Sequence, residues 1–286
     1  MFGECHAHIF MNGYNYRKAV ETHKDKVNER IIGEHLAAYE KEGITFLRDG
    51  GDALGVSDAC RHLAKDYGID YRTPIYAIHK TGYYGGIVGR GFHTRSEYEE
   101  LVANVKARGG DFIKIMVSGI VDFSKKRAVS GDTLPEHTIE TMIEIAHKQG
   151  MSVMVHANGE IAVKAAAKAK ADTIEHGRFI TKECLEIMAE NKVVWVPTLV
   201  TVKNLKGCGR FPDDAVESIY SEAVEDIKTA YACGVQMAIG SDAGAYQVYH
   251  GTATVQEYGC FQEILGAGDW LDAYLEKGET RIQQMC

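Results

Sequence analysis

The sequence predicts an α/β fold, a (β/α)8 barrel of the TIM type, and three observations support this prediction. Short apolar, β-rich segments alternate with amphipathic helical segments, which is the pattern of βαβ units around a parallel sheet. Eight such units fit into the 286 residues of the chain, and a barrel of this kind typically needs about 250 residues. Connections from helix to strand are short, whereas several connections from strand to helix are long, as in barrel enzymes.

The predicted elements follow one another without a linker, a charge block or a change of composition. Strands are expected at 3–9, 44–49, 71–78, 111–118, 151–156, 172–176, 193–198 and 235–242. Helices are expected at 26–42, 56–67, 95–108, 135–148, 159–170, 181–190, 213–232, 253–266 and 271–286. An open, doubly wound sheet is the structural alternative, but no G-x-G-x-x-G motif follows the first strand. We therefore expect one domain over residues 1–286.

The long strand-to-helix connections mark the expected active-site face. They cover residues 79–94, 119–133, 199–212 and 243–252. Barrel enzymes carry their chemistry on these connections and keep the opposite face compact for stability.

The composition is that of an ordinary globular protein, with 45% hydrophobic and 25% charged residues. No apolar run approaches the roughly 18–20 residues of a membrane-spanning helix, and the start MFGECHAH lacks the features of a signal peptide. The formal net charge of -8 disfavours binding to nucleic acid and to anionic membranes. A small-molecule partner is therefore expected.

Seven cysteines are scattered along the chain and form no C-x-x-C pair. Neither a zinc-finger spacing nor the disulfide framework of a secreted domain is recognisable. These features predict a reduced, cytoplasmic protein.

His6 and His8 lie two residues apart on the first predicted strand. Alternate side chains of a strand share a face, so both imidazoles point the same way. Two neutral histidines buried side by side would need several hydrogen bonds, whereas one metal ion satisfies both. A polar strand edge is the alternative interpretation of H-x-H.

Lys114 lies in the middle of an apolar strand, DFIKIMVSG. A buried ammonium without a partner is costly, so such a lysine needs either a partner or altered chemistry. The lysine could extend outward between helices. Alternatively, it could react with carbon dioxide to form a carbamate, an anion whose two oxygens can bridge two cations.

Further polar residues end other apolar strands: His156 in VHANG, His176 in IEHG and Asp242 in IGSDAG. The carboxyl ends of barrel strands converge on one mouth, so these side chains are expected to meet there. The complete candidate set is His6, His8, Lys114, His156, His176 and Asp242. Imidazole and carboxylate ligands without thiolate suit zinc or another borderline divalent metal.

With these motifs the sequence resembles the amidohydrolase superfamily, more narrowly its imidazolonepropionase-related and prolidase-like branch. The matching segments are ECHAH (4–8), TFLRDGG (45–51), FIKIMVSG (112–119), VHANG (155–159), IEHG (174–177), VPTLVT (196–201) and IGSDAG (239–244). Glu4 stands where the family usually has Asp. Many members also carry a small accessory β-sandwich, for which we expect no room in this chain.

The resemblance implies a site with two divalent metal ions, expected to be zinc. His6, His8 and Asp242 would hold one metal ion, and His156 and His176 the other. Lys114, carboxylated by carbon dioxide, would bridge the two ions together with a hydroxide nucleophile. Asp242 would be the catalytic general base and then the general acid.

Candidate substrate-binding residues lie on the loops of the same face. They are Arg48, His79, Tyr83, Tyr84, His137, Arg178 and Tyr246. Arg48 is a candidate for binding a substrate carboxylate or for forming a structural pair with a carboxylate.

The leading functional hypothesis is a binuclear metal-dependent amidohydrolase that cleaves an N-acyl amino acid, a dipeptide or a cyclic amide. A lactone, ester or phosphotriester hydrolase could use the same six ligands. Nucleobase deamination is disfavoured, because deaminases of this superfamily usually use one metal and no bridging lysine. A non-catalytic binding module is also disfavoured, because all six ligand positions are filled. The resemblance favours a homo-oligomer but specifies no interface.

Overall fold

The alternation of strands and helices seen in the sequence is realised in the structure, a computed structural model that describes residues 2–286. The strands are β1 (Glu4–Ala7), β2 (Phe46–Asp49), β3 (Asp70–Arg72), β4 (Ala77–Lys80), β5 (Gly89–Phe92), β6 (Ile113–Met116), β7 (Val153–Ala157), β8 (Thr173–His176), β9 (Val194–Val196) and β10 (Gln236–Met237).

The helices surround these strands. They are α1 (Tyr16–His23), α2 (Glu29–Lys41), α3 (Val56–Leu63), α4 (Arg95–Ala107), α5 (Glu136–Lys148), α6 (Glu160–Lys168), α7 (Lys182–Glu190), α8 (Val200–Lys203), α9 (Asp213–Cys233), α10 (Thr252–Leu265) and α11 (Asp269–Met285). A 3₁₀ turn at Ala64–Tyr67 extends α3. Among these helices, none combines the length and the apolar character needed to cross a bilayer.

The strands pair in parallel in two ladders, β1-β2-β3 and β10-β9-β8-β7-β6-β4-β5. Backbone hydrogen bonds join the end of the second ladder to β1: Asp242 N donates to His6 O at 2.7 Å, and His8 N donates to Ala243 O at 2.8 Å. Residues 239–243, which follow β10, therefore lie beside β1. The predicted TIM-barrel fold is confirmed.

The third predicted strand, 71–78, is divided into β3 and β4. Pro74 interrupts it because proline cannot donate a backbone hydrogen bond, and Ile75 adopts a positive φ of 67°. β3 pairs with β2, and β4 pairs with β6, so the divided strand still connects the two ladders.

Three short elements lie where the sequence predicted none. β5 and α8 occur inside the expected loops 79–94 and 199–212, and α1 precedes the first expected helix. β5 escaped prediction because glycines alternate through it, and it is stabilised by a parallel ladder with β4 rather than by β-propensity. α1 is capped by Asn15, whose side chain accepts hydrogen bonds from Arg17 N and Lys18 N.

The hydrophobic core lies between the barrel strands and the helix layer. The strands β1, β2, β6, β7, β8 and β9 are buried along their whole length, because the barrel interior covers one face and the helices cover the other. α2 contributes Ile32, Leu36 and Tyr39, which occupy one face of that helix and are fully buried. This arrangement leaves the carboxyl ends of the strands open at the barrel mouth.

Candidate metal centre

The structure brings His6, His8 and Asp242 together. One ligand atom from each residue lies within 4.8 Å of the others, and Asp242 Oδ1 lies 3.5 Å from both His6 Nε2 and His8 Nε2. β1 places the two imidazoles on one face, as its alternation predicts. Asp242 reaches them because residues 239–243 are hydrogen-bonded to β1 and because the backbone of Asp242 takes a positive φ of 60°.

His156 and His176 complete a group of four imidazoles. Their ring centroids are 4.5 Å apart, and the ring of His176 lies 5.0 Å from that of His6. His156 Nε2 lies 3.1 Å from the carbonyl of Gly119, which can only accept a hydrogen bond, so His156 Nδ1 keeps its lone pair. His176 Nδ1 contacts Thr198 Oγ1 at 2.8 Å. The imidazoles are therefore fixed in orientation by the surrounding strands.

Lys114 lies on the adjoining strand β6, with only 1% of its surface exposed. Its Nζ has no hydrogen-bond partner among residues 2–286 and lies on a cavity of about 260 Å³ that His8, His156, His176 and Asp242 also line. Burial lowers the pKa of Lys114, because an ammonium loses its hydration in the barrel. The same desolvation raises the pKa of Asp242.

The electrostatics of the histidines favour metal binding. Burial lowers the pKa of His8 and of His156 to about 3, and the nearby charge of Lys114 adds to this effect. Both imidazoles are therefore neutral at neutral pH, and a neutral imidazole is the form that binds a metal ion.

Glu175 is a buried acid that the sequence reasoning passed over. It lies on β8 just before His176, and its Oε2 lies 2.8 Å from His6 Nδ1. A carboxylate accepts here, so His6 Nδ1 carries the proton and His6 Nε2 presents its lone pair. The motif IEHG already contained this residue, and a carboxylate inside an apolar strand was the signal for a buried partner.

Arg48 does not line the cavity. Of its two expected roles, the structure shows the pair with a carboxylate. Its guanidinium lies beneath the histidines, where it donates to Glu175 Oε1 at 2.9 Å, to Cys5 O and to Thr173 Oγ1. The buried ion pair therefore supports the carboxylate that orients His6. A role for Arg48 in direct contact with substrate is contradicted by this position.

The remaining candidate substrate residues divide into two groups. Tyr84, Arg178 and Tyr246 line the cavity together with the metal-ligand candidates. His79 and Tyr83 do not line it, and His137 lies in a separate groove beside Lys80. His79 was expected in a mobile loop. In the structure it lies on β4, which pairs with β5.

The donor atoms fit a divalent metal site. His6 Nε2, which faces Asp242, and Lys114 Nζ, which lies on the cavity, are buried and lack a hydrogen-bond partner in the described part of the chain. Buried polar atoms are normally paired, so unpaired ones beside a single cavity indicate a missing ligand. Neutral imidazoles and a carboxylate form a donor set typical of zinc and related cations.

A comparison with family models identifies the family. The model of the amidohydrolase family matches residues 4–271. The chain belongs to the amidohydrolase family. Members of this family generally use metal ions and hydrolyse carbon–nitrogen bonds, so the protein is a hydrolase of amide-type bonds.

Two relatives in sequence match this amidohydrolase over different shares of its length. An uncharacterized protein of Mycobacterium tuberculosis is 30% identical over 269 residues, an alignment that covers 84% of this chain and 67% of the relative. Ochratoxinase of Aspergillus niger is 26% identical over 140 residues, which cover 47% of this chain and 29% of the ochratoxinase.

Solved structures share the fold of this amidohydrolase at lower sequence identity. A Xaa-Pro dipeptidase with bound methionine has a TM-score of 0.75 and 22% identity, covering 99% of this chain and 75% of the dipeptidase. A. niger ochratoxinase has a TM-score of 0.73 and 19% identity, covering 96% of this chain and 68% of the ochratoxinase. A prolidase complexed with N-methylphosphonate-L-proline has a TM-score of 0.79 and 22% identity, covering 99% of this chain and 74% of the prolidase.

Proposed function

We propose that the protein is a binuclear metal-dependent amidohydrolase that cleaves the amide or peptide bond of a small substrate, namely an N-acyl amino acid, a dipeptide or a cyclic amide. The observation that carries the proposal is the arrangement of five metal-ligand candidates, including Lys114, around one cavity beside His6. The cavity, about 260 Å³, is at the small end of ligand pockets and so favours a small substrate.

The proposed ligands fall into two sets. His6, His8 and Asp242 would hold one divalent cation, and His156 and His176 the other. Lys114 would bridge them as a carbamate. Its neutral amine attacks the carbon of carbon dioxide, one C–O π pair moves to oxygen, and nitrogen releases a proton. Burial favours this reaction because it lowers the pKa of Lys114 and so increases the neutral fraction.

When bound, the cations lower the pKa of water towards neutrality and polarise the scissile carbonyl. Asp242 would accept the proton of the attacking water and deliver it to the leaving nitrogen. Glu175 would position His6, because it contacts His6 Nδ1, whereas His6 Nε2 faces Asp242.

The relatives support a carbon–nitrogen bond as the target. Among structures of the same fold, one is a Xaa-Pro dipeptidase and another is bottromycin amidohydrolase. These names favour a peptide or amide over a lactone, an ester or a phosphotriester.

The test is hydrolysis screening of protein loaded separately with zinc, manganese and cobalt. We expect about two metal equivalents per chain and turnover of dipeptides or N-acyl amino acids. Lactones, esters and phosphotriesters are tested in parallel as alternative substrates. Asp242→Asn should lower kcat by about 100-fold or more, because it removes the proton acceptor, while the protein stays folded. Preferential turnover of lactones or phosphotriesters would show that the substrate is not an amide. A folded protein that binds no metal and has no activity would refute the proposal that the protein is a metal-dependent enzyme.

A further inference from the structure

Glu4 is a fully buried glutamate at the barrel seam, the place where β1 lies beside residues 239–243. Both of its carboxylate oxygens accept two hydrogen bonds. Oε1 accepts from His6 N at 3.0 Å and from Ser241 N at 2.8 Å. Oε2 accepts from Ser241 Oγ and, at 2.6 Å, from Thr254 Oγ1. One side chain therefore connects β1, residues 239–243 and α10.

The backbone groups that Glu4 holds belong to the metal-ligand candidates or adjoin them. One is the amide of His6, and the other is the amide of Ser241, the residue before Asp242. His6 and Asp242 lie on opposite sides of the barrel seam, with His6 Nε2 3.5 Å from Asp242 Oδ1. Because a functional constellation works only within about 0.5 Å of its productive geometry, the width of the seam matters for metal binding.

The backbone on the far side of the barrel seam is irregular. Asp242 has a φ of 60°, a conformation that is unfavourable for a residue other than glycine. Gly240 packs against β1 so closely that a Cβ there would lie 2.9 Å from His6 N. Such a backbone persists only where its surroundings hold it, and Glu4 holds it through both the amide and the hydroxyl of Ser241.

We propose that Glu4 is a positioning residue, whose carboxylate sets the separation of His6 and Asp242 across the barrel seam and so prepares their site for a divalent cation. This inference rests on the proposed function, which makes both residues metal ligands. Glu4 takes no part in proton transfer in this account. The first competing explanation is that Glu4 only stabilises the barrel, and the second is that it acts only through its negative charge.

Two substitutions of Glu4 separate position from charge. Glu4→Gln can keep all four hydrogen bonds, because its oxygen can accept from the two amides and its NH₂ can donate to the hydroxyls of Ser241 and Thr254. Glu4→Met has a similar length but leaves both amides without an acceptor. The affinity for zinc is measured by competition with a chromophoric chelator.

Glu4→Met should lower the zinc affinity by about 10- to 100-fold, the usual effect of losing a group that orients a metal ligand. Glu4→Gln should stay within about threefold of wild type, because the positions of the ligands are kept. If Glu4→Gln loses as much affinity as Glu4→Met, the charge of Glu4 is decisive and the positioning role is wrong.

Two further variants control for folding. Thr254→Val removes one donor to Glu4 and should lower the zinc affinity by about fivefold, which tests the proposal even where Glu4→Met does not fold. Glu279→Met removes a carboxylate that accepts from Gly3 N at 2.8 Å, just before β1, and holds neither His6 nor Ser241. It should lower the melting temperature without changing the zinc affinity. If Glu4→Met and Thr254→Val also lower only the melting temperature, Glu4 merely stabilises the barrel.

Hydrogen exchange of the metal-free protein tests the barrel seam without substrate. In Glu4→Met the amide of Ser241 should exchange about 10-fold faster or more, whereas in Glu4→Gln it should stay protected. If zinc affinity and exchange follow these expectations but no amide is hydrolysed, the proposed function fails and the positioning role stands. If amides are hydrolysed but Glu4→Met keeps both zinc affinity and protection, the positioning role fails and the hydrolase stands.

Discussion

Two cationic side chains on barrel strands are buried in this protein, and their surroundings differ. Arg48 meets Glu175 at 2.9 Å, so its charge is compensated inside the barrel. Lys114 Nζ has no hydrogen-bond partner in residues 2–286, although it lies on the cavity beside three of the histidines. An unpaired buried amine is costly, and conversion to an anion that binds cations removes that cost. Lys114 is therefore the residue with which to test the proposed bridging role.

Replacing Lys114 with Ala should remove most of the bound metal and lower kcat by about 100-fold or more, since the proposed bridging anion is lost. Metal content is measured by elemental analysis alongside turnover, and short-chain carboxylic acids added to the variant should restore part of both. Lys168→Ala, which removes an exposed lysine at the end of α6, serves as the control. Wild-type turnover by Lys114→Ala would contradict the bridging role.

At the scale of elements, α11 illustrates how a glycine can serve packing instead of weakening a helix. The sequence predicts a last helix at 271–286 with Gly278 as its weak point. In the structure α11 lies against β10 so closely that a Cβ at Gly278 would be 2.0 Å from Met237 O. Gly259 in α10 has nothing within 4 Å of the equivalent position. The two glycines thus differ in their surroundings and not in their intrinsic helix propensity.

Alanine substitutions at these two positions should have opposite effects on stability. Gly259→Ala should raise the free energy of unfolding by about 0.5–1 kcal/mol, because alanine loses less backbone entropy in a helix. Gly278→Ala should lower it by about 1–3 kcal/mol, because α11 must move away from β10. Denaturant titration measures both changes. A stabilised Gly278→Ala protein would show that the contact between α11 and β10 is not tight.

At the scale of the whole molecule, the barrel buries several carboxyl groups, and Glu257 is one that lies outside the candidate metal centre. It is fully buried on α10 and accepts hydrogen bonds from Leu199 N at 2.8 Å and Val200 N at 2.9 Å, at the start of α8. Burial raises its pKa to about 7, because desolvation of the carboxylate outweighs these hydrogen bonds. Glu257 therefore holds α10 against α8 while making folding dependent on pH.

The sign of this dependence follows from proton binding. Between the ordinary glutamate pKa of about 4.3 and the folded value of about 7, the folded protein binds more protons at Glu257 than the unfolded chain. The contribution of Glu257 to stability is thus fully present below the lower pKa and is lost as pH rises through the higher one. It changes by at most about 1.4 kcal/mol per pH unit in that window.

Glu257→Gln should remove this contribution. The free energy of unfolding of the variant relative to wild type should rise as pH increases from 5 to 7 and level off above that. Both proteins share every other titrating group, so the difference between their denaturation curves at each pH isolates Glu257. A difference that stays constant across this range would show that Glu257 is ionised to the same extent in both states.

Local sequence patterns were sufficient for the barrel and for the choice of ligand candidates. Strand alternation predicted that His6 and His8 share a face, and strand ends predicted that His156, His176 and Asp242 face the mouth. The positions of short elements could not be predicted in this way. β5 depends on a partner strand for its stability, so it has no strong local signal. The break between β3 and β4 did have a local signal, Pro74.

The sequence by itself determined the fold class and the chemical types of the candidate ligands, because periodicity and residue chemistry are local properties. Only the tertiary structure decided which polar side chains share a cavity. Arg48 and Arg178 both follow or end apolar strands, yet Arg48 is paired with Glu175, whereas Arg178 lines the cavity and forms no ion pair within 4 Å among residues 2–286. That difference depends on contacts between residues more than one hundred positions apart, as between Arg48 and Glu175, and such contacts leave no trace in a local pattern.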